Sequence, residues 1–327
     1  MTTNQRLTAF LESSFLSELL QVPTVTDISF NGEALYYEDS ALGRQKYEKE
    51  VANSAVGDFL RQIANFSDKQ FSYMNPILDV SFSRYRLNAT FLSIVRVKDE
   101  RAYSFSLRIG KEGSAILDDD TEFWGGSRPI LMDAIHQRKS IVIAGETGAG
   151  KTELQKYLLM HLPPATRVIV IDNVEELEMS RSSSHLDLTS WLVDDRIKDA
   201  SFPSLIRNAL RNNPDYLLVA ESRGAEMLDA LNCVMSGHPI MTTLHAKDIY
   251  SVPQRIARMA LMANDKLVFD EVLTDVYHHF SLVVYLKKVF RDGRVVRYID
   301  EVGEMEESTR SIRMLSSRKG DLLWARI

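Results

Sequence analysis

Residues 145 to 152 read Gly-Glu-Thr-Gly-Ala-Gly-Lys-Thr and directly follow the apolar run Ile141 to Ala144. A buried strand running into a glycine-rich turn and then Lys-Thr meets the requirements of a phosphate loop. Gly145, Glu146, Thr147, Gly148, Ala149 and Gly150 supply backbone N–H groups that can close on phosphate oxygens. The helix that follows aims its positive end at the same point. Lys151 neutralises the β- and γ-phosphates and Thr152 offers a hydroxyl to Mg²⁺, so the expected ligand is a nucleoside triphosphate with its metal. Glu153 stands in the first helical turn, where it suits the helix dipole but lies near phosphate charge.

Phosphoryl transfer also needs a carboxylate at the tip of a buried strand, facing the loop, to hold Mg²⁺ and the attacking water. Glu221 occupies such a tip at the end of the run Tyr216 to Ala220, with Arg223 two residues beyond it. His238 and His245 flank the run Ile240 to Thr243. Histidines at strand ends often serve only neighbouring carbonyls, but Thr242 and Thr243 add polar chemistry at this one. A metal-ligand reading is weaker, since neither histidine has a Cys or carboxylate partner at zinc-site spacing.

The elements that must position these groups are legible from Pro129 onward. Helical patterns alternate there with short, nearly unbroken apolar runs at Ser140–Ala144, Arg167–Asp172, Tyr216–Ala220 and Ile240–Thr243. Such alternation implies an α/β domain with a parallel sheet covered on both faces. Ligands of these sheets sit at the carboxyl ends of the strands, where the phosphate loop, Asp172 to Glu176, Glu221 with Arg223, and Thr242 to His245 all fall. Up to about residue 120 the pattern is mixed α+β. Runs at Asp27–Phe30, Ala34–Tyr37, Arg84–Ala89, Ser93–Val97 and Ala102–Ile109 suggest antiparallel strands, and Val51–Phe66 suggests a helix. Three aspartates, Trp124, Gly125-Gly126 and Pro129 break all periodicity between Leu117 and Pro129. The expected division is therefore a domain over 1–120, a linker over 121–129 and a second domain over 130–327.

The chain has 327 residues, which suits about two domains. A hydrophobic content of 45% with 26% charged residues is that of a globular protein. No apolar stretch approaches the ~18 residues of a membrane helix. The apolar positions from Leu7 to Leu20 recur on a helical period and are interrupted by Glu12 and Glu18, so they read as an amphipathic helix rather than a signal peptide. The one cysteine, Cys233, fits a reducing cytoplasm and reads as a packing residue. A net charge of −6 argues against non-specific nucleic-acid binding. Only the end from Ser308 is basic, with Arg310, Arg313, Arg318, Lys319 and Arg326 against Asp321, and it reads as a solvated tail in preference to a lipid or partner contact.

Four segments in order, the phosphate loop, Ile171-Asp172-Asn173-Val174-Glu175-Glu176, Leu210-Arg211-Asn212-Asn213-Pro214-Asp215 through Glu221-Ser222-Arg223, and Ser236-Gly237-His238-Pro239 through Leu244-His245-Ala246, resemble the Walker A, Asp box, Walker B and His box of the secretion-ATPase superfamily. That superfamily contains the cytoplasmic motors of type II and type IV secretion, type IV pili and Tad pili, and the resemblance spans roughly residues 84 to 300. It implies a C-terminal RecA-like P-loop ATPase domain, a smaller N-terminal PAS-like α+β domain, ATP as substrate and a hexameric ring. Glu176 matches the family's catalytic carboxylate. This chain has Asp172-Asn173 where relatives show Glu-Asp, and Glu175 competes for the same role. His238 and His245 match the box that senses the γ-phosphate, and Glu153 stands where relatives carry Thr or Ser. Phe82-Ser83-Arg84-Tyr85-Arg86-Leu87-Asn88 resembles a Gly-Arg-x-Arg-x-Asn strand, with Ser83 for the glycine, and Arg108 resembles a third arginine of that domain. The resemblance implies that Arg84, Arg86 and Arg108 reach the nucleotide from the other domain or from a neighbouring subunit. The short N-terminal domain and the lack of a Cys₄ zinc module favour the type IV secretion or Tad-like branch. The implied partners are inner-membrane components of a secretion or pilus machine at the cytoplasmic face of that membrane. A pilus retraction motor and a RecA-like nucleic-acid motor are the alternatives, the latter disfavoured by the acidic balance and the lack of a basic, aromatic-interleaved stripe.

Overall fold

The structure, a computed structural model, describes residues 2–110, 114–173, 177, 185–194 and 197–318. The chain divides into two compact units, the first made of residues 1–112 and 290–296 and the second of 113–289 and 297–327.

The first unit opens with α1 (Thr3–Glu12), whose start is fixed by a capping box between Thr2 and Gln5. Ser14 donates to the Leu11 carbonyl just past its end, and a short α2 (Ser17–Leu20) follows, so the expected single amphipathic helix is two pieces. Strands β1 (Val25–Phe30), β2 (Leu35–Asp39) and β3 (Gly43–Lys46) precede α3 (Asn53–Phe66), and β4 (Ile77–Phe82) and β5 (Tyr85–Thr90) follow it. The expected strand at Ser93–Val97 is reduced to β6 (Arg96–Val97), paired with β7 (Glu100–Arg101). With β8 (Ser104–Ile109) the main sheet has the order β3-β2-β1-β8-β5-β4, antiparallel at every pairing. One face is apolar: Ile28, Phe30, Leu87 and Leu107 join Val56, Leu60 and Ile63 of α3 in one core. The other face carries Asp27, Arg86, Asn88 and Arg108, as the two-residue period of a strand requires.

The second unit contains α4 (Thr121–Trp124), α5 (Arg128–His136), β9 (Ile141–Gly145), α6 (Lys151–Met160), β10 (Arg167–Asp172), β11 (Asp187–Leu192), α7 (Phe202–Ala209), β12 (Tyr216–Val219), α8 (Glu226–Met235), β13 (Ile240–Leu244), α9 (Val252–Leu261), α10 (Phe269–His279), β14 (Leu282–Arg291), β15 (Arg294–Glu306) and β16 (Ser311–Ser317). Its sheet has the order β11-β10-β12-β13-β9-β14-β15-β16. The six strands from β11 to β14 run parallel. Alternate residues of β9 divide between two cores, Val142 and Ala144 into one and Ile141 and Ile143 into the other. Both faces are thus covered by helices, which is why the central strands β9 and β12 are apolar and fully buried.

Two stretches differ from the sequence expectation. Over residues 121–129, expected as a linker, Asp120 caps α4 by accepting from the Phe123 N–H at 2.8 Å, and Phe123 and Trp124 are buried in the second unit's core. The basic end is not a solvated tail through residue 318. Residues 311–317 form β16, Arg313 pairs with Glu304, and Arg318 is only 5% exposed, donating to the carbonyls of Glu122 and Phe123. Cys233 is buried in the core, where burial followed by the nearby Asp229 charge pushes its thiol up to about 12, in keeping with a packing role.

Candidate nucleotide site

The phosphate loop leaves the carboxyl end of β9, and its geometry requires glycine at two points. Gly145 has φ +152°, and a Cβ there would meet the Leu286 carbonyl oxygen of β14 at 2.5 Å. Gly150, with φ +95°, is the N-cap of α6 in the left-handed region. Lys151, the first residue of α6, is 8% exposed and folds back over the loop, its Nζ donating to the carbonyls of Gly145 (3.0 Å) and Glu146 (2.9 Å). Thr152 is half-buried in the same first turn.

Neighbouring parallel strands deliver the other groups to the same edge. β12 ends just before Glu221 and β13 just before His245. His245 Nδ1 lies 3.4 Å from Lys151 Nζ, and its Nε2 lies 3.3 Å from Glu221 Oε1. Arg223 donates to Glu221 Oε2 at 2.7 Å. Lys151, His245, Glu221 and Arg223 therefore form one continuous chain of contacts. Beneath it, Ser222 and Thr242 hydroxyls meet at 2.9 Å and Thr243 donates to the Ala220 carbonyl at 2.8 Å, locking the two strand ends together. Gln155 of α6 adds a second lock, donating to the carbonyls of Val219 and Met241, each at 3.1 Å.

Electrostatics set the protonation states. Burial acts to raise Glu221, but the hydrogen bond and charge of Arg223, with His245 and Lys151, outweigh it and hold the carboxyl below its ordinary value. His245 is lowered from 6.5, first by burial and then by the Lys151 charge, with Glu221 opposing. Its imidazole is thus neutral at neutral pH. Any turnover at this site is expected to be level through neutral pH and to fall only as the pH drops beneath the ordinary imidazole range, when a second cation forms beside Lys151. In His245→Asn that acid limb should move down toward the protonation of Glu221, as kcat against pH would record. An unchanged limb would assign the titration to another group.

The remaining candidates divide. Glu153 points away from the loop, accepting from the Ala115 N–H at 2.8 Å and pairing with Lys156 at 3.3 Å. Asp172 is buried and accepts from the N–H groups of Asn173 and Leu177, closing the turn after β10. Glu175 and Glu176 lie outside the described residues. The expectation that His238 joins His245 at the phosphates is not met within this chain. His238 precedes β13 and His245 follows it, and β13 is parallel to β9, so His238 lies at the edge opposite the loop, near Ser236. Arg84, Arg86 and Arg108 belong to the first unit. Arg86 and Arg108 are direct cross-strand neighbours on β5 and β8, 3.6 Å from Asp79 and 3.9 Å from Asp27 respectively. Arg84 instead stacks over Tyr85 and donates to its hydroxyl at 3.0 Å.

Sequence reasoning missed Arg297 on β15, which donates to the Gly148 carbonyl at 2.8 Å and so braces the middle of the loop. No motif marks it; the only signal was the apolar run Leu282 to Leu286, which announces a further strand beside β9.

A parallel sheet with a phosphate loop after one strand and a carboxylate after its near neighbour, joined to an antiparallel α+β unit, defines a RecA-like P-loop domain with a smaller N-terminal PAS-like domain. The chain belongs to the type II/IV secretion system protein family, whose profile matches residues 123–288. It is 28% identical over 313 residues to an uncharacterized protein of Bacillus anthracis, covering 91% of this chain and 68% of that one. It is 31% identical over 200 residues to the type IV secretion system protein VirB11 of Brucella suis, spanning 60% of this chain and 55% of VirB11, little more than half of that relative's length. In fold it is similar to the X-ray structure of the Legionella pneumophila ATPase DotB, with a TM-score of 0.64 at 22% identity over 94% of this chain and 83% of DotB. Among the described residues no helix is long and apolar enough to cross a membrane.

Proposed function

We propose that this protein is a Mg²⁺-dependent ATPase that assembles as a homo-hexameric ring and powers type IV secretion, conjugative transfer or pilus assembly from the cytoplasmic face of the inner membrane, with membrane components of that machine as partners. The observation that carries the reading is the contact chain Lys151–His245–Glu221–Arg223 on the carboxyl edge of adjacent parallel strands. Lys151 is the phosphate-facing cation. Its ammonium donates to two loop carbonyls, and triphosphate oxygens would compete for it as stronger, charged acceptors.

The donor set suits Mg²⁺: an ionised Glu221 and the Thr152 hydroxyl are hard oxygen ligands, and the metal would neutralise charge on the transferring phosphoryl group. Neutral His245 can accept from Lys151 and donate to Glu221, so it registers whether the Lys151 ammonium is turned to the loop or to a γ-phosphate. Glu176, with Glu175 as its competitor, orients the attacking water. Arg84, Arg86 and Arg108 supply positive charge in trans. Contacts that form with ATP and dissolve with its products bias a two-state arrangement, which converts hydrolysis into movement.

Glu221→Gln tests the reading directly. The amide keeps the shape and loses the charge, so nucleotide affinity should stay within about threefold while kcat falls about 100-fold, the scale of losing one preorganised electrostatic group. Equal losses of binding and turnover would make Glu221 a structural residue and remove the basis for hydrolysis here.

A further inference from the structure

Beside the phosphate loop the second unit holds a cavity of about 560 Å³ lined by Glu146, Thr147, His245, Lys247, Arg255 and Arg258, among others. Two walls are already explained: Glu146 and Thr147 belong to the loop, and His245 contacts Lys151. The third wall is α9. Ser251, Gln254, Arg255 and Arg258 recur at i, i+3, i+4 and i+7, so they form one stripe along that helix and all line the cavity. The opposite face of α9, with Val252, Ile256 and Met259, is buried in the core, which fixes the stripe toward the cavity. Lys247, Arg255 and Arg258 form no ion pair with any carboxylate among the described residues, although acidic residues outnumber basic ones in the chain. Three cations against one carboxylate, Glu146, around one hollow favour an anion.

We propose that this cavity is a second anion site, which takes up hydrogen phosphate, the inorganic product of hydrolysis, on the far side of His245 from Lys151. The inference rests on the hydrolytic reading above. When water attacks the γ-phosphorus and the bond to the bridging oxygen breaks, the water oxygen becomes the fourth oxygen of the product. At neutral pH that product is HPO₄²⁻, which retains a P–OH donor. The terminal phosphate of Mg²⁺-bound ATP is ionised under the same conditions and has none. Glu146 is the one carboxylate on the wall and can accept only from such a donor, while Arg255, Arg258 and Lys247 satisfy the ionised oxygens. A wall of cations with a single acceptor therefore selects the product over the triphosphate, because the triphosphate would set its charge against the Glu146 carboxylate without a proton between them. A guanidinium pair on one helix face also suits a tetrahedral oxyanion better than a point charge does. The cleaved phosphate thus has a place to go beside the loop, against walls that Lys151 does not line.

The test uses the full chain with inorganic phosphate as the only added ligand, followed by calorimetry and by ³¹P line broadening, with sulfate as the proton-free comparison. The wild type and Lys151→Ala should bind phosphate alike, and sulfate should bind more weakly to both. Arg255→Gln/Arg258→Gln should weaken phosphate about tenfold or more, a loss on the scale of charge-assisted hydrogen bonds. Arg255→Lys/Arg258→Lys, matched in melting temperature, should recover part of that loss. The double Gln variant should also show weaker product inhibition of ATP turnover by phosphate. Three results would overturn the proposal: no phosphate binding by the wild type, loss of binding in Lys151→Ala, which would leave the loop as the sole site, or undiminished binding in the double Gln variant. If phosphate binds as expected but the wild type hydrolyses no ATP, the site stands as an oxyanion site while its assignment to a product, and the ATPase reading with it, falls.

Discussion

Lys151→Ala is expected to lower ATP turnover by about 10³-fold or more, because it removes the one cation that the loop itself aims at developing negative charge. The variant should not be silent in stability. Lys151 is almost fully buried and satisfies two loop carbonyls, so its loss leaves Gly145 and Glu146 oxygens short of a donor. At roughly 0.5–1.5 kcal/mol per net hydrogen bond, the cost is about 1–3 kcal/mol, which a melting curve would register as a drop of several degrees. Phosphate-release kinetics and thermal melting on the same preparation separate the two effects. Turnover at the wild-type rate would remove the loop from the chemistry, and an unchanged melting temperature would show that Lys151 leaves those carbonyls in solution.

Removing Arg84, Arg86 and Arg108 together should lower turnover about 10³-fold while leaving nucleotide affinity within a few fold, as for a finger arginine supplied in trans. Arg86 and Arg108 face each other directly across β5 and β8, an arrangement of like charges that normally destabilises a sheet. Asp79, 3.6 Å from Arg86, and Asp27, 3.9 Å from Arg108, offset that repulsion. Mixing the triple arginine variant with Lys151→Ala chains should restore part of the activity, since each supplies what the other lacks. If two tags show that mixed rings form and they hydrolyse no faster than either parent, the arginines act in cis or only in folding. Arg84, tied to the hydroxyl and ring of Tyr85, is the member whose single Ala variant should cost stability as well.

The parts of the fold that the sequence announced are those in which a single physical cause dominates. β9, β10, β12 and β13 are buried on both faces, so their runs are nearly unbroken in apolar character and their ends were readable to within about a residue. β11 was missed because it is an edge strand: Asp187, Thr189, Ser190 and Leu192 are exposed, and its pattern resembles a loop. β4 was missed because Ile77, Asp79 and Ser81 face solvent, which leaves only three buried positions to mark it. At the site, Lys151, Glu221 and His245 were legible because a strand end places each of them. His238 was misplaced for the complementary reason: a box of adjacent residues in sequence spans both ends of one strand, and a strand separates what the sequence joins. Arg297, Arg255 and Arg258 carry no motif. Their roles arise from which strand lies beside β9 and which face α9 buries, and only the assembled sheet decides that.

The bond from Arg297 to the phosphate loop carries a topological consequence. β15 begins in the first unit, at residues 294–296, and Arg297 is the first of its residues to belong to the second. The residue that grips Gly148 is therefore covalently joined to Val296, the last residue of a segment that the Val295 N–H anchors to the Ala41 carbonyl in the first unit. β15 is therefore one continuous strand that serves both units, its first residues in the first and Arg297 onward in the second.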